Sequence, residues 1–238
     1  KPSGSAGRLC CQTEKSVIHY AKRGNPMKRC FIFAAGTFFG LRERPGMPDD
    51  LVIAADAGYE TCRAAGITPD VILGDFDSMD APEGGPGVIR LPVEKDDTDT
   101  MAAVKLGLER GCKEFYIYGG TGGKRLDHTL ANLQTLLYLR RRGARGFLHD
   151  DAFVWTVIEN ESITVTQTVD WGLLSVFCLG DRAEGVFEQG VQYPLENAVL
   201  TAEFPLGVSN HILDPKAEVR VDRGALAVGW ELSPLCSR

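Results

Sequence analysis

The chain has 238 residues, 44% apolar and 24% charged, enough for one large domain or two small ones around a sizeable core. Its formal net charge is −6, so the surface offers no general attraction to nucleic acid or to an anionic membrane, and any polyanion must be held at a local site. No run of about 18 apolar residues occurs, which excludes a membrane-spanning helix, and neither nucleic acid nor a membrane is expected as a partner.

Residues 1–26 carry no apolar periodicity and include Ser3-Gly4-Ser5-Ala6-Gly7. This leader is expected to be poorly ordered or peripheral, with a compact domain beginning at Met27. Residues 27–41, MKRCFIFAAGTFFGL, mimic a signal peptide. They are rich in β-formers and end in Gly36 and Gly40, so they read better as a first buried strand and its turn. Further strands are expected at 51–54, 71–73, 88–91, 115–118 and 146–148. All are continuous apolar runs rather than alternating ones, as parallel strands covered on both faces require. Helices are expected at 59–65, at 98–110 with Met101, Val104 and Leu108 inward, and at 128–142 with Leu130, Leu133, Leu136 and Leu137 inward. Each stops at a glycine: Gly66, Gly111 or Gly143.

After about residue 150 the runs become shorter and β-branched, at 153–158, 162–167, 173–179, 183–187, 198–203, 218–222 and 225–231. Turn pairs such as Gly180-Asp181 and Arg223-Gly224 separate them. The reading is an α/β domain with a mostly parallel sheet over 27–150, followed by an all-β sandwich over 151–238. Seven scattered cysteines (Cys10, Cys11, Cys30, Cys62, Cys112, Cys178 and Cys236) form no Cys-x-x-Cys pair. That argues against a disulfide framework or a zinc site and for a reducing cytoplasm.

Four segments carry the chemistry: Asp56 in Ala55-Asp56-Ala57-Gly58; Asp75 and Asp77 in Gly74-Asp75-Phe76-Asp77-Ser78; Asp96 and Asp99 in Lys95-Asp96-Asp97-Thr98-Asp99; and the glycine loop from Gly119 to His128. Each follows a strand candidate. In open α/β sheets ligands bind beyond the carboxyl ends of the strands, so all four fall on one edge. Carboxylates brought together there repel by roughly 4 kcal/mol per pair at about 4 Å and an effective dielectric near 20. A divalent cation relieves that repulsion, and hard oxygen ligands suit Mg²⁺ beside substrate phosphates. Asp75 and Asp77, two apart, aim the same way in extended backbone. Asp96 and Asp99 read as metal or substrate contacts, Asp97 as solvent-facing. The glycine loop is neither a Walker A loop nor Gly-x-Gly-x-x-Gly. Its glycines still let backbone N–H groups approach phosphate, with Lys124 or Arg125 adding charge. Asp127 reads as a helix cap and His128 as packing or capping.

Together these segments resemble the thiamine pyrophosphokinase (thiamine diphosphokinase) family in order and spacing, over residues 28–238 and most densely over 54–136. The resemblance implies an α/β domain that binds ATP and Mg²⁺, a β-sandwich that helps hold thiamine, and a homodimer with shared sites. It implies Asp75, Asp77 and Asp99 as Mg²⁺ ligands and members of a catalytic acid set with Asp96. On the ATP side it implies Asp56, Lys95, Gly122, Arg125, Asp127, His128 and Asn132. Gly190-Val191-Gln192-Tyr193 and Gly207-Val208-Ser209-Asn210 are similar to the family's Gly-Leu-Lys-aromatic and Ser-Asn segments, which implies Tyr193, Ser209 and Asn210 on the thiamine side. Ala57, Val191, Gln192 and His211 depart from that pattern. The implied activity moves a pyrophosphoryl group from ATP to the thiamine hydroxyl. The alternatives are a non-catalytic nucleotide or thiamine-binding regulator on the same scaffold and a kinase of another small alcohol.

Overall fold

The computed structural model describes residues 27–74, 87–92 and 96–235; the leader, Asp75, Asp77 and Lys95 lie outside the described residues. The first half runs β1 (Arg29–Phe33), β2 (Leu51–Ala55), α1 (Gly58–Ala64), β3 (Val71–Gly74), β4 (Gly87–Arg90), α2 (Asp99–Glu109), β5 (Glu114–Tyr118), α3 (Leu126–Arg140) and β6 (Arg145–His149). The second half is β7 (Phe153–Glu159), β8 (Ser162–Thr166), β9 (Leu173–Cys178), β10 (Arg182–Gln189), β11 (Leu195–Thr201), β12 (Gly207–His211), β13 (Lys216–Arg223) and β14 (Ala225–Glu231).

Strands β6-β5-β1-β2-β3-β4 lie side by side and parallel. The sheet continues past residue 150. A tight turn, closed by Asp150 N–H donating to Phe153 O at 2.8 Å, brings β7 back antiparallel on β6 with Trp155 opposite Leu148. Strands β14, β9 and β12 then extend one ten-stranded sheet, while β11-β10-β13-β8 form a separate antiparallel sheet. The sandwich is thus that smaller sheet packed on one end of the large one.

The pleat sends alternate residues to opposite faces. Cys30, Ile32, Ile53, Leu73, Phe115 and Ile117 join Val104, Leu136 and Leu139 of the long helices in one core. Phe31, Phe33, Val52, Ile72, Tyr116 and Phe147 face the other way and share a core with Ile163, Val186, Val219 and Trp230 of the sandwich. At about 1.5–3 kcal/mol per buried large apolar side chain, these two layers hold the sheet in place.

Three local readings differ from expectation. All four residues of β4 are exposed, because it is an edge strand of the ten-stranded sheet. Leu130, assigned by periodicity to the buried stripe of α3, is 56% exposed, since the helix meets the sheet through Asn132, Thr135, Leu136 and Leu139. Strand β12 has no apolar alternation to announce it. It carries a register shift against β9 between Gly207 and Asn210, with Ser209 in left-handed backbone (φ 59).

Candidate active site

Strands β1 and β5 are neighbours, yet the chain leaves β1 toward β2 and β5 toward β6. Crossovers diverge here, and such a switch point opens a crevice at the carboxyl ends of the strands. The two exits are stitched together: Gly36 N–H donates to Gly119 O at 2.7 Å, Thr37 N–H to Thr121 O at 3.1 Å, and Thr37 Oγ1 to Gly122 O at 2.6 Å. A Cβ on Gly36 would lie 2.4 Å from Gly119 O, so glycine is required for this approach.

The resulting cleft has a volume of about 230 Å³. It is lined by Ala34, Gly36, Gly119, Gly120, Thr121 and Gly123, by Asp56 after β2 and Asp99 at the start of α2, and by Lys124, Arg125 and His128 around the start of α3. Asp56 stands at the end of β2 in left-handed backbone (φ 51), its N–H donating to Leu73 O at 2.8 Å, and its Oδ1 is buried. Gly74 packs against it: a Cβ there would be 3.3 Å from Asp56 Cα. Asp99 opens α2, capped by Thr98, whose Oγ1 accepts from Met101 N–H at 3.1 Å. The N-termini of α2 and α3 both border the cleft and add partial positive charge suited to an anion.

The other sequence-predicted residues fall as follows. Asp96 is exposed and does not line the cleft. Asp97 does not face solvent freely. It is half-buried, and its carboxylate accepts from Lys105 Nζ at 2.6 Å. Asp127 makes no cap; it accepts from Arg125 Nε at 2.9 Å, and that hydrogen bond holds its carboxyl down at about 2. Asn132 is buried beneath the loop and donates to Gly120 O at 2.7 Å. Gly122 (φ 71) is in the left-handed turn of the loop. Tyr193, Ser209 and Asn210 do not line this cleft. Tyr193 is 66% exposed, whereas Asn210 is buried. Among the described residues no three or more metal-ligating side chains form a group.

A second, far smaller concavity of about 20 Å³ lies between β8 and the large sheet, lined by Tyr116, His149, Thr166 and Trp230. It holds none of the sequence-predicted site residues. Burial pushes His149 down to about 3, with Arg42 adding to the effect, and the ring stacks on Tyr118 at 4.7 Å. His149 is therefore neutral at ordinary pH and unsuited to proton transfer there.

Two family profiles match this chain. Residues 48–148 match the thiamin pyrophosphokinase catalytic domain, and residues 160–226 match the thiamin pyrophosphokinase vitamin B1 binding domain. The chain belongs to the thiamin pyrophosphokinase family. Thiamine pyrophosphokinase of Bacillus subtilis is 27% identical over 208 residues, covering 84% of this chain and 97% of that protein. The crystal structure of thiamine pyrophosphokinase from the same organism superposes with a TM-score of 0.75 at 25% identity, covering 87% of this chain and all of that one. Thiamin pyrophosphokinase from Geobacillus thermodenitrificans gives 0.75 at 26% identity, covering 88% of this chain. These family members share the α/β half with a mostly parallel sheet and the antiparallel sandwich half.

Sequence reasoning missed several parts of this thiamin pyrophosphokinase cleft. Ala34, Thr37 and Thr121 shape it, yet nothing in their identity marks them. The signal that could have found them is the strand order, since the exits of β1 and β5 face each other only because those strands are adjacent.

Proposed function

We propose that this chain catalyses transfer of the pyrophosphoryl group of ATP to the hydroxyl of thiamine, giving thiamine diphosphate and AMP. The carrying observation is the presence, on one chain, of a catalytic and a vitamin B1 binding domain of this family, the first opening at its switch point into a cleft with acids, a glycine turn and two cations. The thiamine oxygen attacks the β-phosphorus, the bond from that phosphorus to the α-phosphate oxygen breaks, and AMP leaves with the electron pair. The work of the protein is positioning and charge neutralisation. The glycine turn and the two helix N-termini receive phosphate oxygens. Arg125 exchanges Asp127 for the leaving phosphate, a cheap exchange because the pair is solvent-exposed. Asp99 accepts the hydroxyl proton.

Asp56 and Asp99 fit a hard divalent cation, being oxygen donors that both line the cleft, and Mg²⁺ needs only one or two carboxylates beside waters and phosphates. They, with Asp75 and Asp77 from outside the described residues, would hold Mg²⁺. Bound there, Mg²⁺ supplies positive charge against the phosphate oxygens.

Thiamine meets Tyr193 and Ser209, and the second copy completes the site. In support, these residues do not line the cleft of their own chain, and Trp171, Tyr193, Phe204, Leu206 and Val208 leave large apolar surfaces exposed around edge strand β12. A homodimer covers them. A cytoplasmic setting agrees with the buried free thiols Cys30, Cys62 and Cys112. None of the described helices is long and apolar enough to cross a membrane. Phosphorus NMR of a reaction with ATP, Mg²⁺ and thiamine tests the activity. Equal amounts of AMP and thiamine diphosphate are expected; ADP with thiamine monophosphate would make the chain an ordinary kinase.

A further inference from the structure

Glu188 is the only carboxylate in the buried core among the described residues, with no exposed surface. It sits on β10, between Leu195 of β11 and Val219 of β13, and its side chain reaches across the sandwich to β12. There Oε2 accepts from Asn210 Nδ2 at 3.2 Å, while Oε1 has no hydrogen-bond partner. Room for the carboxyl exists because Gly207 has no side chain: a Cβ there would lie 3.2 Å from Oε1. None of these neighbours is charged. Burial pushes Glu188 up to about 7, opposed only by the Asn210 bond.

Asn210 does more than face Glu188. Its Oδ1 accepts from Tyr193 N–H at 3.0 Å and its Nδ2 donates to Tyr193 O at 2.8 Å, a side-chain copy of a strand pairing. One residue earlier, Ser209 N–H donates to Ser175 Oγ at 3.0 Å, which holds the left-handed residue of the bulge. Register in β12 is otherwise weakly specified, for the strand is short, sits at an edge and lacks apolar alternation. A slip of one residue would turn Ser209 inward and Asn210 outward. A buried acid with one partner is a poor choice for stability alone, since an apolar side chain of that size would avoid the desolvation cost.

We propose that Glu188 is a positioning residue that acts through Asn210, fixing the backbone at Tyr193 and the register of the Ser209 bulge so that both present one surface to thiamine. This rests on the reading above that Tyr193 and Ser209 meet thiamine. Glu188 touches no substrate, so its removal acts on thiamine affinity and spares the ATP cleft.

The test compares three full-chain variants by steady-state kinetics with both substrates. Glu188→Leu removes the acceptor but keeps the bulk, and raises the thiamine KM about tenfold, with the ATP KM within twofold of the parent and kcat retained at saturating thiamine. Glu188→Gln keeps an acceptor oxygen for Asn210 and restores the thiamine KM to within about threefold. Tyr193→Ala keeps the backbone clamp but loses the ring, and raises the thiamine KM. If Glu188→Leu does not fold, Glu188→Asp, one methylene too short to reach Asn210, takes its place with the same expectation. A thiamine KM unmoved by the Leu variant, or both KM values rising alike, overturns the positioning role while Tyr193→Ala still reports on the thiamine reading. An unmoved thiamine KM in Tyr193→Ala removes that reading, and this proposal falls with it.

Discussion

Gly36→Ala is the most informative single perturbation of the cleft. The added methyl carbon would sit 2.4 Å from Gly119 O and 2.7 Å from Thr121 O, where ordinary contact begins near 3.4 Å. Both neighbours are backbone atoms of the glycine turn, so no side chain can rotate away. The turn must retreat by about 1 Å, which stretches the Gly36–Gly119 hydrogen bond. A displacement of that size at a positioning element costs on the order of 10²-fold in rate. Overpacking of this kind costs about 1–3 kcal/mol, or roughly 2–12 °C in Tm for a chain of this length. Gly36→Ala is therefore expected to remain folded by circular dichroism, to lose kcat/KM for ATP about 10²-fold, and to change the thiamine KM little. Gly46→Ala is the control, because a Cβ at Gly46 meets nothing within 4 Å. Full activity in Gly36→Ala, with an unchanged ATP KM, would refute the claim that the β1 and β5 exits shape the nucleotide cleft.

Three further outcomes are expected. Asp75→Asn and Asp99→Asn each abolish turnover without loss of the far-ultraviolet signature, and Mg²⁺-dependent activity that survives in Asp75→Asn removes the metal assignment for that residue. Asn132→Leu leaves Gly120 O buried without its donor, at a cost of about 1–3 kcal/mol by urea unfolding, and raises the ATP KM; equal stability of the two proteins contradicts the loop-anchoring role. Glu188 links stability to pH. Its carboxyl, near 4.5 in the unfolded chain, is raised to about 7 in the fold, so the folded state holds its proton longer. The stability it contributes is complete below about pH 4.5 and is lost as pH rises through about 7, by about 3 kcal/mol in all. Glu188→Gln cannot ionise, so its urea midpoint relative to the parent rises between pH 5 and pH 8; a constant difference over that range contradicts the buried-acid assignment.

How much was legible in sequence follows from where each signal resides. Parallel strands announce themselves because both faces are buried, hence the unbroken runs at Phe31-Ile32-Phe33 and Val52-Ile53-Ala54. The α/β half followed by the antiparallel half was legible for the same reason. Of the acids expected at strand ends, Asp56 and Asp99 line the cleft and Asp96 does not, while Asp75 and Asp77 lie outside the described residues. Pairing between distant strands was not legible. That β6 pairs β7 and carries the sheet past residue 150 depends on the turn at Asp150, not on either strand's composition. Leu130 shows the limit of periodicity, which finds an apolar stripe but cannot tell where the helix outruns its sheet. Asn132 and Asn210 enter the sequence reading as ligand contacts only through the family resemblance, and Asn132 does line the cleft. In the fold their amides bond the backbone at Gly120 and Tyr193, a role that only packing reveals. Glu188 falls just past the strand expected at 183–187 and reads like any exposed glutamate, and nothing local distinguishes it.

Hydrogen exchange of the full chain, with and without ATP and Mg²⁺, tests the location of the nucleotide site most directly. Slowed exchange at 34–37 and across 119–132 is the predicted result. Slowing confined to the segments around His149, Thr164 and Thr166, or no change at ATP concentrations that support turnover, would contradict it.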